Sequence, residues 1–143
     1  MKKFIVIRHG SGFNMEEQML HMAEQLKPHL EGNTVRLITS TAFRADDSAK
    51  ELARELGLTG YENHAILWSD RDHEQNNRAA LALVRKKFEG VDVLIVLTHL
   101  EYAEELPTVF GKEVLQTQIE PYELSHGQGR IVLCDEKTAS VIS

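Results

Sequence analysis

Two short runs of the chain are apolar at almost every position, residues 4–7 (FIVI) and residues 91–97 (VDVLIVL). A strand with one solvated face alternates apolar and polar residues, whereas a strand covered on both faces is continuously apolar. Both runs are also rich in β-branched residues, which favour strands. They therefore predict strands inside a sheet that has helices packed on both of its faces.

Segments with the spacing of amphipathic helices separate the strand-like runs. Methionine and leucine recur every three or four positions through residues 15–30, as in a helix face that packs on a core. Gly57 and Gly90 stand where the next two helices end, and glycine is the usual residue there. The predicted strands are residues 4–7, 34–38, 64–68 and 91–97, and the predicted helices are residues 15–30, 45–56, 81–88 and 101–110.

The last part of the chain has a different pattern. Residues 118–124 and 130–134 look like two strands around a turn formed by residues 125–129. Such a hairpin adds an antiparallel edge to a sheet that is otherwise mostly parallel. Alternating strands and helices followed by a hairpin predict an α/β fold, a three-layer α/β/α sandwich. A length of 143 residues suits a single domain that spans residues 1–143.

Composition excludes several classes of protein. The formal net charge is −6, which argues against a nucleic-acid partner. No apolar run approaches the roughly 20 residues that span a bilayer, and the first run is too short for a signal peptide, so we expect a cytoplasmic protein without a membrane partner. The single cysteine, Cys134, cannot form an intrachain disulfide. No paired Cys/His spacing predicts a zinc site, and we expect no metal and no cofactor.

Polar residues that could take part in catalysis or ligand binding follow each predicted parallel strand. Arg8 and His9 follow the first strand, Arg44 comes one helical turn after the second, Asp70 follows the third, and His99 follows the strongest. Ligands of open α/β sheets bind beyond the carboxyl ends of the strands. We therefore expect these five side chains to meet at one edge of the sheet.

This set of residue types is suited to phosphoryl transfer. Two guanidinium groups offer forked donors that match phosphoryl oxygens. A histidine between them could attack phosphorus through a ring nitrogen, while the second histidine stabilises charge on the transferring group. A carboxylic acid at the rim could protonate the leaving oxygen and then activate water. Because the cationic side chains neutralise the phosphoryl group, this chemistry requires no metal.

Three segments of the chain resemble the motifs of one enzyme family. The tripeptide RHG at residues 8–10, after the N-terminal strand, resembles its signature. Residues 40–49 (STAFRADDSA) resemble its second motif, a serine before a short helix that carries Arg-Ala and then Thr-Ala or Ser-Ala. The dipeptide TH at residues 98–99 resembles its third. The chain is thus similar to the histidine phosphatase superfamily, the phosphoglycerate-mutase-like group, from residue 4 to about residue 105.

The resemblance implies a role for each matching residue. His9 is the nucleophile, and Arg8, Arg44 and His99 form the phosphate pocket. Asn14 stands near a family asparagine that contacts phosphate, in a loop that is one residue shorter here.

The resemblance leaves the general acid open. Mutases and many phosphatases of the family place a glutamate after the third strand, where this chain has Asp70. Asp72, Glu74 and Glu101 are the alternatives. Position 11 is Ser, where many relatives have Glu.

The short chain bears on the choice among functions in this family. Mutases of the family carry insertions over the site, and few residues here are left for a lid. The chain most resembles the small phosphohistidine phosphatase branch. We therefore expect a phosphatase with a covalent phosphohistidine intermediate, acting on a phosphorylated small molecule or phosphoprotein, with protein phosphohistidine as one candidate substrate. A small-metabolite phosphomonoesterase, a weakly catalytic domain that binds phospho-ligands, and a mutase are the alternatives.

The remaining histidines carry no such signal. They lie on predicted helices or beside turns and strand ends, and we expect structural roles for them. Trp68 is expected in the core, although its position near Asp70 would also allow contact with the site. The five histidines in question are His21, His29, His64, His73 and His126.

Overall fold

The computed structural model describes residues 1–68 and 73–143, with all of their side chains except those of residues 73–75. Within these ranges the strands are β1 (Lys3–Arg8), β2 (Val35–Thr39), β3 (Glu62–Asn63), β4 (Val93–Thr98), β5 (Gly129–Leu133) and β6 (Thr138–Ile142). The α-helices are α1 (Met15–Leu30), α2 (Phe43–Leu56), α3 (His73–Lys87) and α4 (Leu100–Phe110). Short 3₁₀ turns occupy Gly12–Asn14 and Ala65–Leu67, and a π-helical turn, Gly111–Leu115, extends α4.

The described strands form one sheet in the order β3-β2-β4-β1-β5-β6. The pairs among β3, β2, β4 and β1 are parallel, whereas β5 pairs antiparallel with β1 and with β6. All parallel strands therefore end at the same edge of the sheet. This arrangement confirms the predicted α/β sheet with an antiparallel hairpin at one edge.

The two faces of the sheet are covered by different helices. Ile5 and Ile7 of β1 pack in one apolar cluster with α1 and α2, whereas Phe4 and Val6 pack in another with α3 and α4. Successive residues of a strand point to opposite faces, so a strand enclosed on both sides must be apolar throughout. The continuous apolar runs in the sequence have this cause. The result is the predicted three-layer α/β/α sandwich.

The methionine-rich pattern marks the buried face of α1. Met19 and Met22 are fully buried and belong to the cluster that joins α1 to the sheet. Burying a side chain of this size contributes about 1.5–3 kcal/mol relative to leaving it exposed. Among the described residues, no helix is both long enough and apolar enough to cross a membrane.

The third strand differs from its prediction. The strand is Glu62–Asn63, and the predicted segment 64–68 begins just after it and turns into the 3₁₀ turn Ala65–Leu67. Leu67 is fully buried, and its carbonyl oxygen accepts a 2.7 Å hydrogen bond from Thr98 Oγ1. The apolar residues of this segment therefore belong to a loop that is anchored in the core. Their sequence pattern resembles that of a short strand.

The C-terminal hairpin also differs from its prediction. Residues 118–124 form no strand, and β5 pairs instead with β6, which follows it. The segment is apolar because Ile119 and Leu124 fill the core beside α4. Strand side chains link it to the sheet: Arg130 Nη1 donates a 2.9 Å hydrogen bond to Glu120 O, and Arg8 Nη1 donates one of 2.9 Å to Leu124 O. The strand at residues 130–134 is confirmed within one residue.

Candidate active site

The candidate site lies where the parallel strands end. The His9 N–H donates a 2.9 Å hydrogen bond to Thr98 O, so the pairing of β1 with β4 continues one residue past the strands. This contact brings the side chains that follow the two strands together. The ring centroids of His9 and His99 lie 5.1 Å apart, with the rings edge to face.

His9 is held in one tautomer. Its Nδ1 lies 2.8 Å from Gly10 O, and since a carbonyl oxygen only accepts, Nδ1 carries the hydrogen. The lone pair then belongs to Nε2. Burial lowers the pKa of His9 below 6.5, and the neighbouring His126 and Arg8 lower it further against the opposing effect of the Gly10 hydrogen bond. A neutral imidazole with a lone pair on Nε2 is the form that can act as a nucleophile.

His99 is oriented from the end of β2. Ser40 is fully buried, and its Oγ lies 2.8 Å from His99 Nε2. Burial and then the proximity of His9 lower the pKa of His99 to about 4, while Glu101 opposes the shift. His99 is therefore neutral at physiological pH. The Trp68 ring stacks on His99, with 6.3 Å between ring centroids.

The Arg8 guanidinium is anchored by the loop that precedes β5. Its Nη1 donates a 2.9 Å hydrogen bond to Leu124 O, and its Nη2 lies 3.2 Å from His126 Nε2. The Nε of Arg8 is buried and has no hydrogen-bond partner among the described residues. Both terminal nitrogens of the guanidinium are thus held by the protein, while its buried Nε has no acceptor in residues 1–68 and 73–143.

A hydrogen bond joins the first two sequence motifs. The Gly10 N–H donates to Ser48 Oγ of α2 at 2.9 Å, and Ser48 is fully buried. A side chain at position 10 would not fit, because a Cβ there would lie 2.8 Å from Met15 Cγ. The glycine of the RHG tripeptide and the serine of the second motif are therefore a packed pair. It sets the loop of residues 9–12, here called the nucleophile loop after the predicted role of His9, against α2.

We expect Ser48→Ala to destabilise the fold by about 1–3 kcal/mol, because it leaves the buried Gly10 N–H without an acceptor. Urea unfolding followed by circular dichroism measures the change in midpoint. Ser140→Ala, at an exposed position of β6, is the matched control and should change the midpoint little. Equal midpoints for the two variants would contradict this account.

A cavity of about 410 Å³ opens beside the nucleophile loop. Arg44 of α2 lines it, and so do Asp47, one helical position beyond the first turn, and His126 of the loop before β5. The cavity thus has cationic, anionic and imidazole side chains in its walls. Its remaining lining residues are Gly10, Ser11, Gly12 and Met15.

The predicted nucleophile and the four predicted phosphate-binding residues fall into two groups. Arg8, His9 and His99 lie together, and Arg44 lines the adjoining cavity and lowers the pKa of both histidines. Asn14 is exposed at the start of α1, makes no side-chain capping hydrogen bond and is absent from the cavity lining. The geometry therefore brings four of the five together and leaves Asn14 outside.

The candidate general acids differ in whether the structure describes them. Asp70 and Asp72 lie outside the described residues, as does the side chain of Glu74. Glu101 is in the first turn of α4, close enough to affect the pKa of His99. Asp47, which the sequence did not single out, lies in the cavity wall. No group of three or more His, Cys, Asp or Glu side chains in residues 1–68 and 73–143 could hold a metal ion.

His126 and Ser40 have contacts in the site that sequence reasoning did not assign. His126 was expected to be structural, yet its ring lies 5.2 Å from that of His9, centroid to centroid. The topology of the sheet is the signal that could have indicated the contact of His126 with His9. Because β5 runs antiparallel to β1, the residues just before β5 reach the same sheet edge as the residues just after β1.

Comparison with known proteins identifies the fold. The sequence matches no protein-family model and no curated protein. The protein histidine phosphatase SixA, solved with tungstate, matches with 19% identity and a TM-score of 0.68, over 99% of this chain and 94% of that one. Phosphoglycerate mutase from Plasmodium falciparum matches with 16% identity and a TM-score of 0.64, over 99% and 89%. The alpha-ribazole phosphatase from Shigella flexneri matches with 11% identity and a TM-score of 0.66, over 98% and 94%.

These solved structures are members of the histidine phosphatase superfamily, and the described chain has the fold of that superfamily. The resemblance predicted from the three sequence motifs is confirmed at the level of the fold. A protein histidine phosphatase, a mutase and an alpha-ribazole phosphatase share it, so the fold alone does not select a substrate.

Proposed function

We propose that this chain is a phosphatase that works through a phosphohistidine intermediate on His9. The observation that carries the proposal is the His9 tautomer, with hydrogen on Nδ1 and a free lone pair on Nε2, beside a buried Arg8 donor that has no acceptor in the described part of the chain. An uncharged nucleophile flanked by guanidinium donors suits attack on an anionic phosphoryl group. Burial lowers the pKa of both His9 and His99, which favours their neutral forms.

The reaction balances in two steps. First, His9 Nε2 attacks phosphorus, the bond from phosphorus to the leaving oxygen or nitrogen breaks, and the leaving group gains a proton from a carboxylic acid at the rim of the site. Second, water attacks phosphorus, its proton passes to a carboxylate, the Nε2–P bond breaks and phosphate is released. Arg8 and Arg44 neutralise the phosphoryl oxygens and His99 donates a hydrogen bond to them, which stabilises both transition states without a metal.

The rim of the site favours protein phosphohistidine as the substrate class. Trp68 is more than half exposed where it stacks on His99, and it offers an aromatic surface to a flat leaving group such as imidazole. Phe13 and Phe43 are largely exposed on the loop after β1 and at the start of α2. Exposed aromatic side chains beside a site are typical of surfaces that contact another protein.

A small-metabolite phosphomonoesterase is the second candidate. The cavity of about 410 Å³ lies in the range of small-molecule sites. Its wall combines Arg44 with Asp47 and His126, polar groups that could orient the rest of a small phosphorylated molecule. Parallel assays with phosphohistidine peptide and metabolite phosphates separate the two candidates by their kcat/KM values.

We expect vanadate to inhibit turnover of an aryl phosphate competitively, and Arg44→Ala to weaken that inhibition about 10- to 100-fold. The reason is the loss of charge-assisted hydrogen bonds, each contributing about 1.5–3 kcal/mol. The inhibition constant and a calorimetric titration with vanadate measure the effect. Arg54→Ala is the matched control, because Arg54 is exposed on the same helix and pairs with Glu51.

The same experiment separates a catalyst from a binding domain. Vanadate binding by a wild-type protein that turns over none of these substrates would support a domain that only binds phospho-ligands. Equal weakening by Arg44→Ala and Arg54→Ala, or none by either, would contradict a phosphate pocket at the end of β1 and β2.

A further inference from the structure

The loop of residues 124–128 runs alongside Arg8 and His9 and forms hydrogen bonds with the main chain of both residues. The Arg8 N–H donates to Gln128 O at 3.0 Å, and the Gly127 N–H donates to both Arg8 O and His9 O at 3.0 and 3.2 Å. The Arg8 side chain reaches the start of this loop at Leu124 O. The main chain of the nucleophile is thus fixed from the β5 side as well as from β4.

His126 adds two side-chain contacts to this loop. Its Nδ1 lies 3.2 Å from His9 O, and its Nε2 lies 3.2 Å from Arg8 Nη2. A carbonyl oxygen only accepts and a guanidinium only donates. Both contacts are hydrogen bonds only when His126 is neutral, with its hydrogen on Nδ1 and its lone pair on Nε2.

The contact with Arg8 has a consequence for phosphate binding. A guanidinium binds a phosphoryl group through its planar fork, so its orientation matters as much as its charge. Leu124 O holds one terminal nitrogen of Arg8 and His126 holds the other, and together they set the plane of the group. The Nε that remains is the buried donor without a partner among the described residues.

We propose that His126 is a positioning residue that orients the Arg8 guanidinium toward the phosphoryl group through its Nε2 lone pair. This inference deepens the proposed function, on which it rests. His126 also lines the cavity beside the nucleophile loop, so the residue that orients Arg8 forms part of the pocket wall. The contact of Nδ1 with His9 O serves to fix the ring in the required tautomer.

Two amide substitutions separate the two hydrogen bonds of His126. In His126→Gln the side-chain oxygen can occupy the place of Nε2 and accept from Arg8, while the donor to His9 O is lost. In His126→Asn the amide nitrogen can occupy the place of Nδ1 and donate to His9 O, while the acceptor for Arg8 is lost. His126→Phe keeps the ring and removes both hydrogen bonds.

We expect His126→Phe and His126→Asn to lower kcat/KM for an aryl phosphate, and to weaken vanadate binding, by about 10- to 100-fold, the scale of one hydrogen bond to a charged group. His126→Gln should stay within a few-fold of wild type in both measurements. His64→Phe is the matched control, since His64 is also half-buried and contacts a charged side chain, Glu62, but lies away from Arg8. It should leave both values unchanged.

The outcomes are distinct. Wild-type values for His126→Phe, or rescue by Asn and not by Gln, would overturn the role assigned to the Nε2 lone pair. Urea unfolding of each variant tests folding, and a variant that folds yet binds vanadate weakly supports positioning. If the wild type binds vanadate without turnover, the proposed phosphatase function fails, while the vanadate affinities of the variants still decide the role of His126.

Discussion

Replacing His9 by alanine should lower phosphatase turnover by several orders of magnitude, because no other described side chain offers an oriented lone pair at the same point. Loss of covalent catalysis removes the nucleophile of the first step, and without the phosphoenzyme the second step, attack by water, has no substrate. The fold should persist, since His9 lies just beyond β1 and its N–H contact with Thr98 O is made by the main chain. Hydrolysis of an aryl phosphate, with urea unfolding alongside, measures both effects.

A trapping experiment gives the same prediction a direct readout. Rapid quenching of the wild type with radiolabelled substrate should yield a phosphoenzyme that is labile in acid, as a phosphohistidine is, and His9→Ala should yield none. His21→Ala, an exposed histidine on α1, is the matched control and should retain label and turnover. Retention of more than about a tenth of the activity by His9→Ala would remove His9 from this role.

The residues at the ends of the parallel strands could be predicted from the sequence. Arg8 is the last residue of β1, and His9 and His99 come directly after β1 and β4. Arg44 is the second residue of α2, the helix that follows β2. The carboxyl ends of parallel strands meet at one edge of a sheet, so their proximity follows from topology once the strands are identified. The continuous apolar runs made that identification possible for β1 and β4.

The residues that reach the site from antiparallel elements could not be predicted from the sequence. His126 comes before β5, and only the antiparallel pairing of β5 with β1 brings it to the end of β1. The prediction paired residues 130–134 with 118–124, whereas the partner is β6. The apolar residues of the earlier segment fill the core, and burial alone does not distinguish a strand from a packed loop.

The contacts that orient the side chains of the site could not be predicted from the sequence either. Ser40 was expected at a helix start, but its hydroxyl lies against His99 while also accepting the Ala42 N–H at 3.2 Å. Ser48 belonged to a recognised motif, yet its contact with Gly10 required the packing of α2 against the nucleophile loop. The sequence gives little indication of which group a short polar side chain will contact, because tertiary packing determines that contact.

The general acid is the group whose replacement should separate substrate classes. An alkyl phosphate leaves as a strongly basic alkoxide and needs a proton in the transition state, and such assistance is worth about 10²- to 10⁴-fold. An aryl phosphate or a phosphohistidine has a better leaving group and needs it less. If Asp70 is the acid, Asp70→Asn should therefore slow alkyl phosphates about 10²- to 10⁴-fold and slow the other two far less.

The measurement is kcat/KM for one alkyl phosphate, one aryl phosphate and one phosphohistidine peptide, with wild type and each carboxylate variant. Asp135→Asn, at an exposed position between β5 and β6, is the matched control and should slow none of them. Equal losses on all three substrates, or no loss, would exclude Asp70. The same asymmetry is then sought in the four other carboxylates, Asp72, Glu74, Glu101 and Asp47. If none shows it, the site handles only good leaving groups, which favours phosphohistidine over a metabolite phosphomonoester.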